Sequence, residues 1–230
     1  MYSPPAWRPL VGRAPCVPVR RSLLAPSGPS HPTSGASMSA NPELSTLAET
    51  NLKAIRRGRY VVDPAHTRVL FSVSHFGFST YFGEFTGTYG MLLIPAAVND
   101  GAVQLAVSVP VDNVSTSNRT LDDELRSSDW LDAQSFPLLS FAATSPVSLA
   151  DNTFNVTGAL SLHGVTRQVS FDATFVGAGI NPKKQVYTIG FDIRGHIRRS
   201  DYGVTAGLPL IGDELNLIIS AAFELESGSA

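Results

Sequence analysis

Residues 156–171 read VTGALSLHGVTRQVSF, and this stretch gives the clearest indication of the fold. On each side of His163-Gly164, apolar side chains alternate with polar ones, which is the period of half-buried strands. The His163-Gly164 pair is typical of a tight turn between two strands. Strands joined by so short a turn lie antiparallel. The stretch therefore predicts an antiparallel hairpin with one apolar face.

The same alternation recurs along most of the chain after Tyr60. Further strands are predicted at residues 69–75, 82–94, 103–111, 138–144, 187–197 and 215–225. With the central hairpin this makes about eight strands, which can form either a sandwich or a closed barrel. Closure removes exposed sheet edges, and a barrel of this size can hold one small ligand inside. The predicted fold class is therefore all-β, an eight-stranded antiparallel barrel.

Composition separates a tail from this domain. Residues 1–59 contain eight Lys and Arg side chains, two acidic ones and nine of the sixteen prolines. All twelve phenylalanines lie after residue 60, so the first part of the chain lacks the side chains of a core. We predict a disordered, basic, Pro-rich tail with a short linker helix at residues 1–58, and a barrel domain at residues 59–227.

The charge and hydropathy of the chain restrict its partners. Residues 60–230 hold nine basic and seventeen acidic side chains, and an acidic domain is poorly suited to nucleic acid because binding depends on neutralising phosphates. No apolar run approaches the roughly 20 residues of a membrane-spanning helix, so no stable membrane insertion is expected. The apolar run after Arg20-Arg21 is too short for a secretory signal. A cytoplasmic location is expected, with a twin-arginine signal and a start at Met38 left open.

Residues 124–141, ELRSSDWLDAQSFPLLSF, interrupt the series of strands. A short helix is predicted at residues 120–131, capped by Thr120 and with acidic residues at its positive end. Pro137 cannot donate to a sheet ladder and fits the first position of the next strand. We interpret the helix as a lid over one end of the barrel, with the ring of Trp130 packed into the opening.

Two charged side chains are candidates for the mouth of the barrel. Arg126, on the predicted helix, either pairs with Asp129 on the surface or meets a polar head group. Asp201 follows Arg199 at the start of the Gly-rich loop that precedes the last strand. There Asp201 either hydrogen-bonds loop amides, while Arg199 pairs with an acid, or contacts the ligand directly.

The inward face of the predicted barrel is almost purely aliphatic and aromatic. It also carries the small residues Gly158, Ala173, Gly195 and Ala221. These residues either leave a cavity or make room for neighbouring phenylalanines, and the pattern leaves both alternatives open.

Four segments, in this order and spacing, resemble the YceI-like family of lipid-binding proteins: YVVDPAHTRVLFSVSHFG, ELRSSDWLDAQSFPLLSF, VTGALSLHGVTRQVSF and RRSDYGVTAGLPLIGDELNLII. The resemblance implies a lipocalin-like barrel that holds a polyisoprenoid chain, such as a quinone tail, in an elongated apolar cavity. The sequence departs from the family pattern at Glu124, where members usually have His. Residues 78–90, FSTYFGEFTGTYG, are also more aromatic than the resemblance leads us to expect.

These observations predict a carrier or storage module for an isoprenoid or similar long-chain lipid, without catalysis, metal or other cofactor, and with a homodimer left open. The residues predicted to line the tail cavity are Phe71, Val73, His75, Phe141, Leu160, Phe171, Ile189, Phe191 and Leu217. Those predicted at the mouth are Arg126, Trp130 and Asp201. Two alternatives remain: an enzyme acting on an apolar substrate with His75 as acid or base, and a structural, stress-related protein whose barrel is filled by its own side chains.

Overall fold

The computed structural model describes residues 48–96, 102–145 and 152–227. The strands are β1 Gly58–Val62, β2 Arg68–His75, β3 Ser79–Phe85, β4 Tyr89–Ile94, β5 Val103–Pro110, β6 Val114–Ser115, β7 Leu138–Ser145, β8 Thr153–Leu162, β9 Val165–Ile180, β10 Tyr187–Arg198 and β11 Ile211–Leu225. One α-helix, α1 Arg119–Arg126, occurs in these residues, with short 3-10 helices at Leu52–Ala54, Val111–Asn113 and Arg199–Tyr202.

Eight of the strands close into an antiparallel barrel, in the order β1-β4-β5-β7-β8-β9-β10-β11 with β1 joined back to β11. Strand β11 is long enough to have two partners on one edge. Its end pairs with β1, as in Tyr60↔Leu225, and its beginning pairs with β2, as in Leu217↔Phe71. Strands β2, β3 and β6 thereby continue the wall at the end where β11 begins, which we call the upper end. The predicted eight-stranded antiparallel barrel is confirmed.

The hairpin that gives the clearest indication of the fold forms as predicted. Strands β8 and β9 pair up to Leu162↔Val165, which leaves only His163 and Gly164 in the turn. Both turn residues have positive φ, 51° and 74°, as in the primed turns that match the twist of a hairpin. The single strand predicted at residues 82–94 is instead two, because β3 pairs with β2 while β4 pairs with β1 and β5.

A cluster of packed apolar side chains lies in the lower half of the barrel. Phe191 lies at its centre, with its ring centroid 5.7 Å from that of Phe175 and 6.2 Å from that of Phe223. Ile189 is completely buried in the same cluster. The structure therefore places Ile189 and Phe191, both predicted to line a cavity, in the floor beneath it.

Residues ahead of β1 also pack against this floor. Leu52 and Ile55, which the sequence analysis assigned to the tail, are buried in the same core cluster. The side chain of Asn152 holds the segment in place by donating to the Thr50 carbonyl at 2.8 Å. Leu52 and Ile55 are two apolar residues among polar neighbours. Their hydrophobic pattern is too weak to predict from the sequence that this segment packs on the barrel.

The helix is shorter than predicted and begins earlier. Its cap is Asn118, whose side chain accepts a hydrogen bond from the Leu121 amide at 3.4 Å, so the prediction of Thr120 as cap was wrong. The helix ends at Arg126, and turns follow up to β7. Both Asn118 and Thr120 are good capping residues, and nothing local to the sequence chooses between them.

Candidate functional site

The upper half of the barrel encloses a cavity of about 230 Å³. Aliphatic and aromatic side chains from almost every barrel strand, together with Leu125 of α1, make its wall, and almost none of its surface is polar. An apolar cavity of about 150 Å³ holds a molecule the size of benzene, and by the same proportion this cavity has room for roughly 8–9 carbon-sized groups. An empty space of this kind is unusual because protein interiors are closely packed.

Most of the residues predicted to line the cavity do lie on its wall. These are Phe71, Val73, Phe141, Leu160, Phe171 and Leu217. The cavity ends below at Val62, Ala221 and Phe223, which are buried. At the upper end its wall includes Trp130, Val204 and Ile211, and we take the mouth to lie between them.

Three phenylalanines of the wall each lie over a glycine of a neighbouring strand. The pairs are Phe71 with Gly83, Phe141 with Gly158 and Phe171 with Gly195. A Cβ atom on Gly83 would come within 2.3 Å of the Phe71 ring, and one on Gly195 would come equally close to the Phe171 ring, 2.3 Å. The glycines thus let the rings lie against the wall instead of across the interior. Small inward residues were expected either to leave a cavity or to make room for phenylalanines. The glycines make room for the three rings, and a cavity remains as well.

Arg199 organises the loop at the mouth. Its guanidinium donates to the carbonyl oxygens of Gly212 and Ala206 at 2.8 Å, Ile211 at 2.9 Å and Val204 at 3.1 Å. The side chain is only 3% exposed. Burial lowers the pKa of Arg199, and the Asp213 carboxylate partly offsets this effect. The expected partner of Arg199 was an acid, but backbone carbonyls of the loop take that place.

Asp213, and not Asp201, accepts a hydrogen bond from a loop amide. Its carboxylate accepts from the Ser200 amide at 2.9 Å and from the Ser200 hydroxyl at 2.7 Å. These hydrogen bonds hold the pKa of Asp213 below its usual range. Asp201 itself is exposed, and its backbone carbonyl accepts from Arg167 at 3.2 Å.

Trp130, whose ring was predicted to pack into the opening, forms part of the cavity wall. Its indole Nε1 donates to the Glu124 carboxylate at 3.1 Å, and the Arg199 guanidinium carbon lies 5.4 Å from the ring centroid. Such an arrangement is a cation–π contact. Glu124, which stands where members of the resembled family usually have His, therefore orients the indole. The sequence shows that Glu replaces His, but it does not show that Glu124 bonds to Trp130.

Arg126 and His75 lie apart from the cavity wall. Arg126 donates to the carbonyls of Asp112 at 2.9 Å and Val114 at 3.0 Å, and forms an ion pair with Asp123, not with Asp129. It therefore ties α1 to the chain that follows β5. His75 pairs in register with Ile211 at the rim, and its ring packs on that of Phe76 at 4.2 Å.

In the ranges that the structure describes, no group of three or more His, Cys, Asp and Glu side chains is arranged to hold a metal ion. Among the helices of those ranges, none has the length and hydropathy needed to cross a bilayer.

Comparison with known sequences gives consistent matches. The profile of the YceI-like domain matches residues 60–223. A UPF0312 protein of Azotobacter vinelandii is 33% identical over 163 residues, which cover 70% of this chain and 84% of the relative. A UPF0312 protein of Shewanella denitrificans is 35% identical over 158 residues, with 67% and 81% covered.

Solved structures show the same fold. Burkholderia cenocepacia BcnA superposes with a TM-score of 0.61 at 21% identity, over 70% of this chain and 98% of that one. A polyisoprenoid binding domain from Saccharophagus degradans, described as implicated in plant cell wall breakdown, superposes with a TM-score of 0.58 at 15% identity. That match covers 74% of this chain and 100% of the other. At these identities the likeness concerns the fold alone.

Proposed function

The chain belongs to the family of YceI-like domains, and from that premise we propose that it binds a polyisoprenoid or similar long apolar chain inside the barrel and carries or stores it unchanged. The observation that carries the proposal is the cavity of about 230 Å³ with an almost wholly apolar wall. The polyisoprenoid binding domain of Saccharophagus degradans, which has the same fold, supports the choice of ligand class.

The size of the cavity suits an isoprenoid tail of limited length. Room for roughly 8–9 carbons corresponds to just under two isoprene units of five carbons each. Burial of each CH₂-like group is worth about 0.8 kcal/mol, so each unit contributes roughly 2–4 kcal/mol before the ligand's lost freedom is subtracted. Apolar burial is therefore the main force that favours binding of the part of a tail that enters the cavity. A head group, and any further units, would remain at or outside the mouth.

The chemistry of the wall favours binding over catalysis. Among the described residues that line the cavity there is no carboxylate and no imidazole, the groups most often used in general acid–base catalysis. Arg199, the charged residue of the wall, is engaged by loop carbonyls. His75, the acid or base of the enzyme alternative, lies at the rim beside Phe76. We therefore propose a carrier.

Mass spectrometry of lipid extracted from natively purified protein tests this function. The wild-type chain is expected to retain an isoprenoid-type lipid. Val73→Phe combined with Leu160→Phe fills the cavity and should reduce the retained lipid at least tenfold, and Leu160→Phe alone is a milder filling if the double variant folds poorly. The matched control is Val176→Phe, which adds the same bulk at an exposed position on β9. A wild-type protein without lipid that also fails to take up added prenyl alcohol would refute the proposal.

A further inference from the structure

Three large apolar side chains are exposed together at the upper end of the barrel. Phe78 is 89% exposed, Leu210 is 62% exposed and Phe76 is 44% exposed. We call these three residues the rim patch. Single exposed apolar residues are common on protein surfaces, but a contiguous group of large ones marks an interaction site.

The backbone holds the rim patch in this exposed arrangement. Phe76 and Gly77 form the turn between β2 and β3 with φ of 52° and 69°, and a positive φ is rare for a bulky residue such as Phe. The turn is held by hydrogen bonds from the Phe78 amide to His75 at 3.0 Å and from the Phe76 amide to Leu210 at 2.8 Å. The two rings stand side by side, with centroids 6.3 Å apart.

The rim patch borders the mouth of the cavity. Ile211, which lines the cavity, follows Leu210 in sequence and pairs with His75, the residue before Phe76. On its other side Ile211 approaches Gly207, which also lies next to Trp130. A surface that covers the rim patch therefore faces the opening through which a ligand enters.

The segments that form the rim contain none of the four side chains that are charged at neutral pH. Residues 75–83, HFGFSTYFG, and residues 203–212, GVTAGLPLIG, hold no Lys, Arg, Asp or Glu. The remainder of the domain carries nine basic and seventeen acidic residues. Exposed aromatic side chains without nearby charge are typical of groups that settle at the boundary between lipid head groups and acyl chains.

We propose that the rim patch docks reversibly on the surface of a lipid bilayer, with the mouth of the cavity turned towards the membrane. This inference rests on the proposed function, because an isoprenoid chain is too apolar to reach the cavity through water and resides in membranes. A second copy of this chain on the same patch is the competing occupant. Such a copy would cover the mouth, whereas a bilayer on the same patch supplies the ligand.

Sedimentation of the full chain with phosphatidylcholine vesicles tests the docking. These vesicles have no net charge, so the basic residues among positions 1–59 contribute little to binding. Phe76→Ser combined with Phe78→Ser should lower the vesicle partition coefficient at least tenfold. Val176→Ser, which removes an apolar side chain 55% exposed on β9, should leave it unchanged. Raising the salt from about 0.1 M to about 0.5 M should also leave it unchanged, since charge is screened but apolar contact is not.

A second readout separates docking from ligand binding. Farnesol added without vesicles should change the fluorescence of Trp130 equally in the wild type and the Phe76→Ser, Phe78→Ser variant, both carrying Trp7→Phe so that Trp130 is the one remaining tryptophan. Vesicle binding without a farnesol response would remove the proposed function but keep the docking. The docking is overturned if the wild type ignores vesicles or the variant sediments like the wild type. It is equally overturned if the substitutions convert a wild-type dimer into monomers.

Discussion

At the scale of single residues, Asp63 shows how the barrel handles a buried charge. Its side chain is only 1% exposed. The carboxylate accepts hydrogen bonds from His66 Nδ1 at 2.7 Å, from Lys184 Nζ at 2.9 Å and from the Ala65 amide at 3.1 Å. Burial alone would raise the pKa of Asp63, but the hydrogen bonds from Lys184 and His66 outweigh it and lower the pKa to about 2. The charged form is therefore strongly preferred in the folded state.

The lowered pKa of Asp63 predicts a specific acid sensitivity. Because the folded pKa of about 2 lies below the unfolded value of 3.8, the stabilisation is fully present above pH 4. It is lost as the pH falls towards 2, by about 2 kcal/mol in the free energy of unfolding. Asp63→Asn should be less stable than the wild type at pH 7, by a similar amount, and should lack this part of the acid transition. Urea denaturation of both proteins at intervals from pH 7 to pH 2 measures the difference. A constant gap between the two curves would contradict the assignment.

Residue roles at the mouth were the least predictable part of the site. Sequence places Arg126 and Asp201 near the opening, yet the partners of Arg126 are carbonyls on the chain after β5, and Asp201 is exposed. The Glu124–Trp130 hydrogen bond joins the helix to the turns behind it, across six positions. Such contacts depend on where turns direct the chain, and no periodicity in the sequence carries that information.

At the scale of elements, the glycine–phenylalanine pairs determine whether the barrel is hollow. Each glycine sits on a strand beside a phenylalanine of the next strand, as Gly195 of β10 does beside Phe171 of β9. Without a Cβ, the strand accepts the ring against its backbone, an arrangement also used to compensate glycines within sheets. Alternation along each strand predicts that both residues face inward. To predict which residue lies opposite on the next strand, one must know the strand register, and the register is known only from the assembled sheet.

Gly195→Ala should displace the Phe171 ring from the wall. A Cβ at this position would meet Phe171 Cδ1 at 2.3 Å, so the ring must move into the cavity. We expect a loss of about 1–3 kcal/mol in the free energy of unfolding, as for other overpacked interiors, together with weaker binding of long prenyl chains. Gly190→Ala on the same strand is the matched control, because its nearest atoms lie at 3.9 and 4.0 Å. Equal behaviour of the two variants in thermal unfolding and prenyl alcohol titration would show that the pairing has no such role.

At the scale of the whole molecule, the barrel has a cavity in its upper half and a packed apolar cluster below it. The hydrophobic period, with the short turns, predicted the strands and their antiparallel pairing, because these follow from local alternation, but it allowed a sandwich as well as a closed barrel. The period could not predict how deep in the barrel each inward side chain lies. Ile189 and Phe191 have the same inward parity as Phe171, but Ile189 and Phe191 lie in the floor while Phe171 lines the cavity.

The division into cavity and floor also limits the ligand. A chain entering at the mouth meets the wall down to Val62 and Phe223 and then the packed cluster around Phe191. Affinity should therefore increase with chain length only as long as added carbons enter the cavity. The same floor explains why a barrel of this size has room for part of a polyisoprenoid and not for all of a long one.

The apolar cavity is tested by titrating the protein with prenyl alcohols of one, two, three and four isoprene units in isothermal calorimetry. We expect the dissociation constant to fall up to about two units and then to stay constant, because the cavity has room for roughly 8–9 carbons. Failure of every chain length to bind would contradict this expectation, as would an affinity that is the same for one and two units.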